Sequence, residues 1–245
     1  MCANSDVLSL DDLDRVTCPI CGAELREGNG KKECCYFCGK EEIADYICPN
    51  GHYICQECRL ASPEQVSKKV VSYMSTTNPV EIAERILQHP NVPVYGVEHH
   101  YIVPLSLVAA ARNAQKRKIK NTEIKMIIAR AKLLPYGSCG ILGDCGAAVG
   151  VGIAVSVLTH ASYKSDKPRA LAMKSTAETL LELAEQGGPR CCIQSVYAAI
   201  KVGAEIIYNE LKIPIQKVSK PVCKFYELAP ECKKERCAYF PVDEK

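Results

Sequence analysis

Cys145-Gly-Ala-Ala-Val-Gly-Val-Gly-Ile-Ala-Val-Ser-Val-Leu158 is the longest apolar run in the chain. It is apolar nearly all round, so a helix built from it is buried rather than amphipathic. Its small residues, Gly146, Gly150 and Gly152 among them, let neighbouring backbones come close. The run is too short, and too rich in Gly and Ala, to span a bilayer. It therefore marks the middle of a helical domain.

Helical patterns lie on both sides of it. Upstream, Pro104 to about Lys118 reads as an Ala/Leu/Val-rich helix with a basic end. Asn121 is placed to cap a second helix, through Ile124, Ile127, Ile128 and Leu133, stopped by Pro135. Downstream, Asp166 or Lys167 precedes Pro168 and opens a helix that runs to Gly187-Gly188. Pro189 is expected to open a last long helix to about Lys212. The region shows neither strand alternation nor an internal repeat. Residues 98–212 thus form a helical core domain. Before it, residues 61–97 are a connector with one helix, announced by Asn78-Pro79-Val80-Glu81 and ending near Pro90. After it, residues 213–245 form an irregular tail. Residues 1–16 are an acidic leader, and residues 17–60 are dense in Cys, Gly and charge. A segment so poor in apolar residues needs a metal to organise it. The expected fold is mostly α: a double zinc-ribbon or treble-clef-like module, then a helical bundle, then a Cys-bearing irregular tail.

Composition narrows the functions. With 245 residues, 47% hydrophobic and 24% charged, the chain supports one sizeable core and a satellite, and is neither disordered, collagen-like nor coiled-coil. It has no Trp and only 3 Phe, which leaves little for stacking on single-stranded nucleic acid. The outlier is cysteine, with 16. The opening MCANSDVLSLDDLDRV lacks the basic and apolar regions of a secretory signal. Thiols in Cys-x-x-Cys pairs then point to metal in a reducing cytoplasm rather than to disulfides. Seven thiolates around two Zn²⁺ would cancel the formal charge of +3. No polyanion-binding field follows, so nucleic acid is disfavoured as a partner, and no membrane is expected. The basic run Arg112, Lys116, Arg117, Lys118, Lys120, Lys125 reads as a solvated corner between helices, with a phosphate or RNA patch as the alternative. No Walker-type or dinucleotide-binding glycine loop is present.

Four ligand pairs stand in the N-terminal segment: Cys18-x2-Cys21, Cys35-x2-Cys38, Cys48-x3-His52 and Cys55-x2-Cys58. Eight ligands make two tetrahedral zinc sites, with no coordination position left open for chemistry. The pairing is open. Sequential sites would join Cys18/Cys21 to Cys35/Cys38; a cross-brace would join Cys18/Cys21 to Cys48/His52 and Cys35/Cys38 to Cys55/Cys58. Cys34 is left over.

A second set of chemistry-bearing residues lies in the core. Glu98-His99-His100, Cys139 and Cys145 within Tyr136-Gly-Ser-Cys-Gly-Ile-Leu-Gly-Asp-Cys-Gly146, and Arg190-Cys191-Cys192 each fall at or before the start of an apolar helix. Unpaired N–H groups and a partial positive charge gather there. Thiols acidify in that setting, and an iron–sulfur cluster, itself an anion, is accommodated. Cys223, Cys232 and Cys237 of the tail either complete this site or build another. Glu98, His99 and His100 are candidates for acid–base work or for a non-thiolate ligand.

The segments CCYFCG, GHYICQEC, EHHYIVP, YGSCGILGDCGAAVGVGI, GGPRCC and CKFYELAPECKKERC resemble the DUF5714 family, a group of cysteine-rich proteins of anaerobic bacteria and archaea. Some of its members are fused to a methyltransferase-like domain, which implies a metabolic setting. The placing of Cys-Gly, a Gly/Ala-rich helix and a later Cys-bearing helix start is also similar to that of iron–sulfur serine dehydratases and cysteine desulfidases. That likeness implies a cluster with three Cys ligands and an open iron, held by Cys139 or Cys145 and by Cys191 or Cys192. The expected function is a cluster-dependent enzyme of anaerobic sulfur or one-carbon metabolism with a structural zinc module. Its protein partner would come from a redox or methyl-transfer system. The alternatives are a non-catalytic cluster or sulfur carrier or assembly factor, and a zinc-ribbon nucleic-acid binder.

Overall fold

The computed structural model describes residues 16–241. Apart from Val16, the expected leader lies outside the described residues. The chain divides into two compact units, one ending at Ala61 and one beginning at Ser62. Among the described residues are nine α-helices and four short strands, so the fold is mostly α.

The first unit is built from turns. β1 (Arg26–Glu27) pairs antiparallel with β4 (Tyr46–Ile47), and β2 (Lys32–Cys34) with β3 (Glu41–Ile43). Each Cys-x2-Cys-Gly segment forms a tight turn. Gly22 N–H donates to Cys18 O at 2.8 Å, and Gly39 N–H to Cys35 O at 2.9 Å. Both glycines sit at positive φ, 69° and 73°, a region other residues enter only with strain. A short helix, α1 (Gln56–Arg59), carries Cys58, with Cys55 as its N-cap. Phe37, Ala44, Tyr53, Ile54 and Ala61 are the apolar residues buried in this unit besides the cysteines. So small a core cannot hold a domain of this length unaided.

The second unit is a helical bundle: α2 (Pro63–Tyr73), α3 (Pro79–Leu87), α4 (Glu98–Ala114), α5 (Asn121–Ala131), α6 (Ser138–Ile141), α7 (Gly146–Thr159), α8 (Lys167–Gln186) and α9 (Cys192–Asn209). At its centre is α7, packed on α4, α5, α8 and α9. Its glycines allow this. A Cβ at Gly150 would lie 2.8 Å from Pro104 Cδ and 3.1 Å from the His100 carbonyl oxygen; one at Gly152 would lie 2.9 Å from the Ala172 carbonyl oxygen. On α9, Gly203 makes the same allowance for Leu107.

Several boundaries differ from the reading of the sequence. α4 begins at Glu98, with Pro104 inside it rather than at its start. Proline there frees the carbonyl of residue i−4, His100, and Gly150 of α7 leaves room for that group. Residues 61–97 hold two helices, not one. α2 is missing from the reading because its composition is polar, yet Ser62 and Gln65 form a capping box at its start. Asn121 is the first helical residue of α5, and Glu123 caps the turn by accepting from Lys120 N–H at 2.9 Å. Pro189 lies in a loop, and α9 starts at Cys192 with Cys191 as N-cap.

The tail is irregular apart from two 3₁₀ turns, Tyr226–Leu228 and Lys234–Arg236. It is nevertheless tied down. Cys223 N–H donates to Tyr239 O at 2.7 Å, and Glu84 of α3 accepts from both Tyr197 of α9 and Lys224 of the tail, at 2.9 and 2.6 Å. Lys233, nearly buried, donates to the Gln186 and Gly187 carbonyls at 2.8 and 2.9 Å and so satisfies the C-terminal end of α8. No helix among the described residues is long and apolar enough to cross a membrane.

We expect Gly152→Ala to lower unfolding stability by about 1–3 kcal/mol, the usual cost of overpacking. Gly140→Ala, where an added methyl meets nothing within 4 Å, should change it by no more than about 0.5 kcal/mol. Denaturant midpoints of the two variants measure the difference.

Candidate metal centres and a thiol-lined cavity

In the first unit the ligand pairs interleave. Cys18, Cys21, Cys48 and His52 form one group and Cys35, Cys38, Cys55 and Cys58 the other, with the ligand atoms of each group all within 4.8 Å of one another. The arrangement is the cross-brace. Two thiolates on one Zn²⁺ at about 2.3 Å stand about 3.8 Å apart. Cys21 and Cys48 Sγ are 3.6 Å apart, Cys38 and Cys55 Sγ 3.6 Å, and His52 Nδ1 lies 3.9 and 3.8 Å from Cys18 and Cys48 Sγ. These are the edge lengths of tetrahedra that could hold a cation. One site offers three cysteines and a histidine, the other four cysteines, and each can hold a metal ion such as zinc. Cys34 belongs to neither, and its thiol donates to the Gly39 carbonyl.

Electrostatics make the same demand. The Cys58 thiol, donating to Cys35, draws Cys35 down to about 4, while Cys58 itself is driven far above the usual thiol range. Burial pushes Cys18 and Cys55 up to about 11. Several thiolates cannot share so small a space without a cation. Backbone N–H groups already point at the sulfurs, from Asn50 to Cys48 and from Cys55 to Cys35, both at 3.4 Å.

The second unit encloses a cavity of about 460 Å³ at the N-terminal ends of α4, α7 and α9. His99, His100, Cys139, Cys145, Arg190, Cys191 and Cys192 all contribute to its wall, with Leu180 and Leu183 of α8 as an apolar side. Cys145 is the N-cap of α7, and Cys192 the first residue of α9. Glu98 is not part of the wall; its carboxylate folds over Gly96. The four core thiols do not close on a single ion. Among the described residues, no three of them have sulfurs all within 4.8 Å of one another.

The two histidines are unusual. Nδ1 of His99 donates to the Gly96 carbonyl, 3.1 Å away, which leaves Nε2 bare; Nε2 is buried without a partner. His100 is hydrogen-bonded to the Leu134 backbone and keeps a buried, unpartnered Nδ1. Burial holds His99 down to about 4 and pushes His100 down as well, so both stay neutral, each with a nitrogen lone pair. A second nitrogen fixed on a backbone carbonyl is the usual support of a metal-ligating imidazole. His100 lies so close to Gly146 that a Cβ there would strike its ring.

Arg190 stacks between two aromatic rings, with its Cζ 5.2 Å from the Tyr95 centroid and 4.9 Å from that of Tyr136. A guanidinium held in this way presents its charge in a fixed direction. The tail cysteines gather elsewhere. Cys223, Cys232 and Cys237 surround a second, smaller cavity together with Cys191.

A family model described as "Family of unknown function (DUF5714)" matches residues 67–240. The chain belongs to the DUF5714 family. No curated protein and no solved structure matches it. The DUF5714 match takes in EHHYIVP, YGSCGILGDCGAAVGVGI, GGPRCC and the Cys-bearing tail, and so every residue of both cavities. CCYFCG and GHYICQEC lie upstream of it.

Tyr95, Tyr136 and Gly96 escaped the reading of the sequence. Tyr136 stands inside a quoted motif, but an aromatic that stacks on an arginine far along the chain leaves no local signal. The basic run is partly committed to structure. Arg112 is buried against Glu123 at 2.6 Å, and Lys118 Nζ donates to Tyr73 O, Met74 O and Ser75 Oγ at 2.9, 2.8 and 3.0 Å.

Elemental analysis should find two zinc ions per chain and a loss of one in Cys48→Ala. The His99 imidazole is held to about 4 when folded against an ordinary 6.5. The unfolded chain therefore takes up a proton first. His99's contribution is intact above about pH 6.5, falls as the pH drops towards 4 and is flat below, a loss of up to about 3 kcal/mol. Stability measured against pH should lack this increment in His99→Gln.

Proposed function

We propose that the larger cavity is the active site of an enzyme that uses an iron–sulfur cluster held by Cys139, Cys145 and Cys192. The observation that carries the reading is the gathering of three thiols, two neutral imidazoles and a braced guanidinium in the wall of one cavity. The spread of the thiols favours a polynuclear group over a single ion.

Cys139, Cys145 and Cys192 would hold such a cluster, which would supply Lewis-acid chemistry. The protein does the rest. Arg190, braced by Tyr95 and Tyr136, pairs with an anionic group of a small substrate such as a carboxylate. Leu180 and Leu183 cover its apolar part. His99 Nε2, neutral at physiological pH, accepts a proton or a hydrogen bond. Elimination from a small sulfur- or oxygen-bearing acid fits these parts, in anaerobic sulfur or one-carbon metabolism. The zinc module is structural.

Purification without oxygen, followed by iron and acid-labile sulfide analysis, tests this. We expect iron and sulfide beyond the two zinc ions, and their reduction in Cys145→Ala and Cys192→Ala with the helical circular dichroism unchanged. A colourless protein that contains zinc alone would overturn the reading.

A further inference from the structure

We propose that Cys191, Cys223, Cys232 and Cys237 ligate an iron–sulfur cluster of their own, separate from the larger cavity. The four residues come from the cap of α9 and from three points on the tail, yet they surround one small cavity. Its remaining wall includes Tyr197, Phe225, Tyr239 and Phe240. Phe225, Tyr239 and Tyr197 are buried, so water is largely excluded.

Two further features mark these sulfurs as ligands. Backbone N–H groups are aimed at three of them: Gln194 at Cys191, Phe225 at Cys223 and Lys234 at Cys232, each at 3.4 Å. The same distance and donor type occur at Cys48 and Cys35 of the metal module. Such donors stabilise a thiolate and add little to a neutral thiol. The second feature is spacing. Cys223 feels the charge of Cys191, Cys232 and Cys237, and Cys191 that of Cys232 and Cys237. Even so, no three of the four sulfurs lie all within 4.8 Å of one another, whereas both zinc sets do. A cluster several atoms across holds its thiolates further apart than one ion does. Neighbouring thiolates set wider than one ion requires fit a cluster, not zinc.

Four protein ligands leave no open iron, so this site binds no substrate. It clasps the tail to α9. The inference is independent of the catalytic reading, because Cys191 lines both cavities whereas Cys192 lines the larger one and not the smaller, which leaves Cys191 to the tail cysteines.

The test compares two double variants of the full chain, purified without oxygen: Cys223→Ser with Cys237→Ser, and Cys145→Ala with Cys192→Ala. We expect the first to lose one cluster's iron, sulfide and visible absorption, and the second to keep that cluster. Full retention of iron in the folded first variant overturns the proposal and leaves the active-site reading standing. Loss of zinc instead of iron overturns it as well. No change in iron in the second variant, with loss in the first, supports the proposal and sinks the active-site reading. Should the first variant fail to fold, the second variant decides. Retention of a cluster by the second variant supports the proposal; loss of all its iron overturns it.

Discussion

The bundle depends on how closely α7 can approach its neighbours. An apolar helix with ordinary side chains would stand about 8–10 Å from them, the common interaxial distance. Gly150 and Gly152 remove the obstacle on two sides, against α4 and α8. Gly146 does so at the end of the helix, against the His100 ring. The approach brings the starts of α4 and α7 together, and α9 completes the group. Cysteines, histidines and an arginine meet because backbones do.

Much of this was legible in the sequence, and the parts that were not share a cause. The all-round apolarity of residues 146–158 gave away a buried helix. The four ligand pairs gave away two sets of residues able to hold a metal ion, because closely spaced Cys and His pairs bring their ligand atoms to one point. The pairing was not legible. Spacing defines which residues make a knuckle but not which knuckles face each other, and either topology closes two tetrahedra. The start of α4 was hidden by Pro104, a residue that reads as a beginning. It is tolerated in mid-helix because a glycine sits on a different helix. α2 was hidden by its polar composition, although Ser62-Pro63-Glu64-Gln65 announces it.

The candidate site shows the same division. His99, His100, Cys139, Cys145, Arg190, Cys191 and Cys192 were singled out by their place before apolar helices, and the structure puts them around one cavity. Glu98, beside them in the chain, is turned away, because adjacent helical residues face different directions. The separate gathering of Cys223, Cys232 and Cys237 with Cys191 depends on long-range folding of an irregular tail. No periodicity encodes that.

The Cys191-Cys192 dipeptide carries a constraint on chain length. Both residues line the larger cavity, and Cys191, at the cap of α9, also reaches the smaller one. The loop from Gly187 to Arg190 leads into that cap. One inserted or deleted residue there would shift the stacked guanidinium off its rings. Both ends of the loop are fixed as well, Gly187 by a left-handed backbone and Arg190 by the rings it stacks on, so neither its length nor its end residues are free to vary.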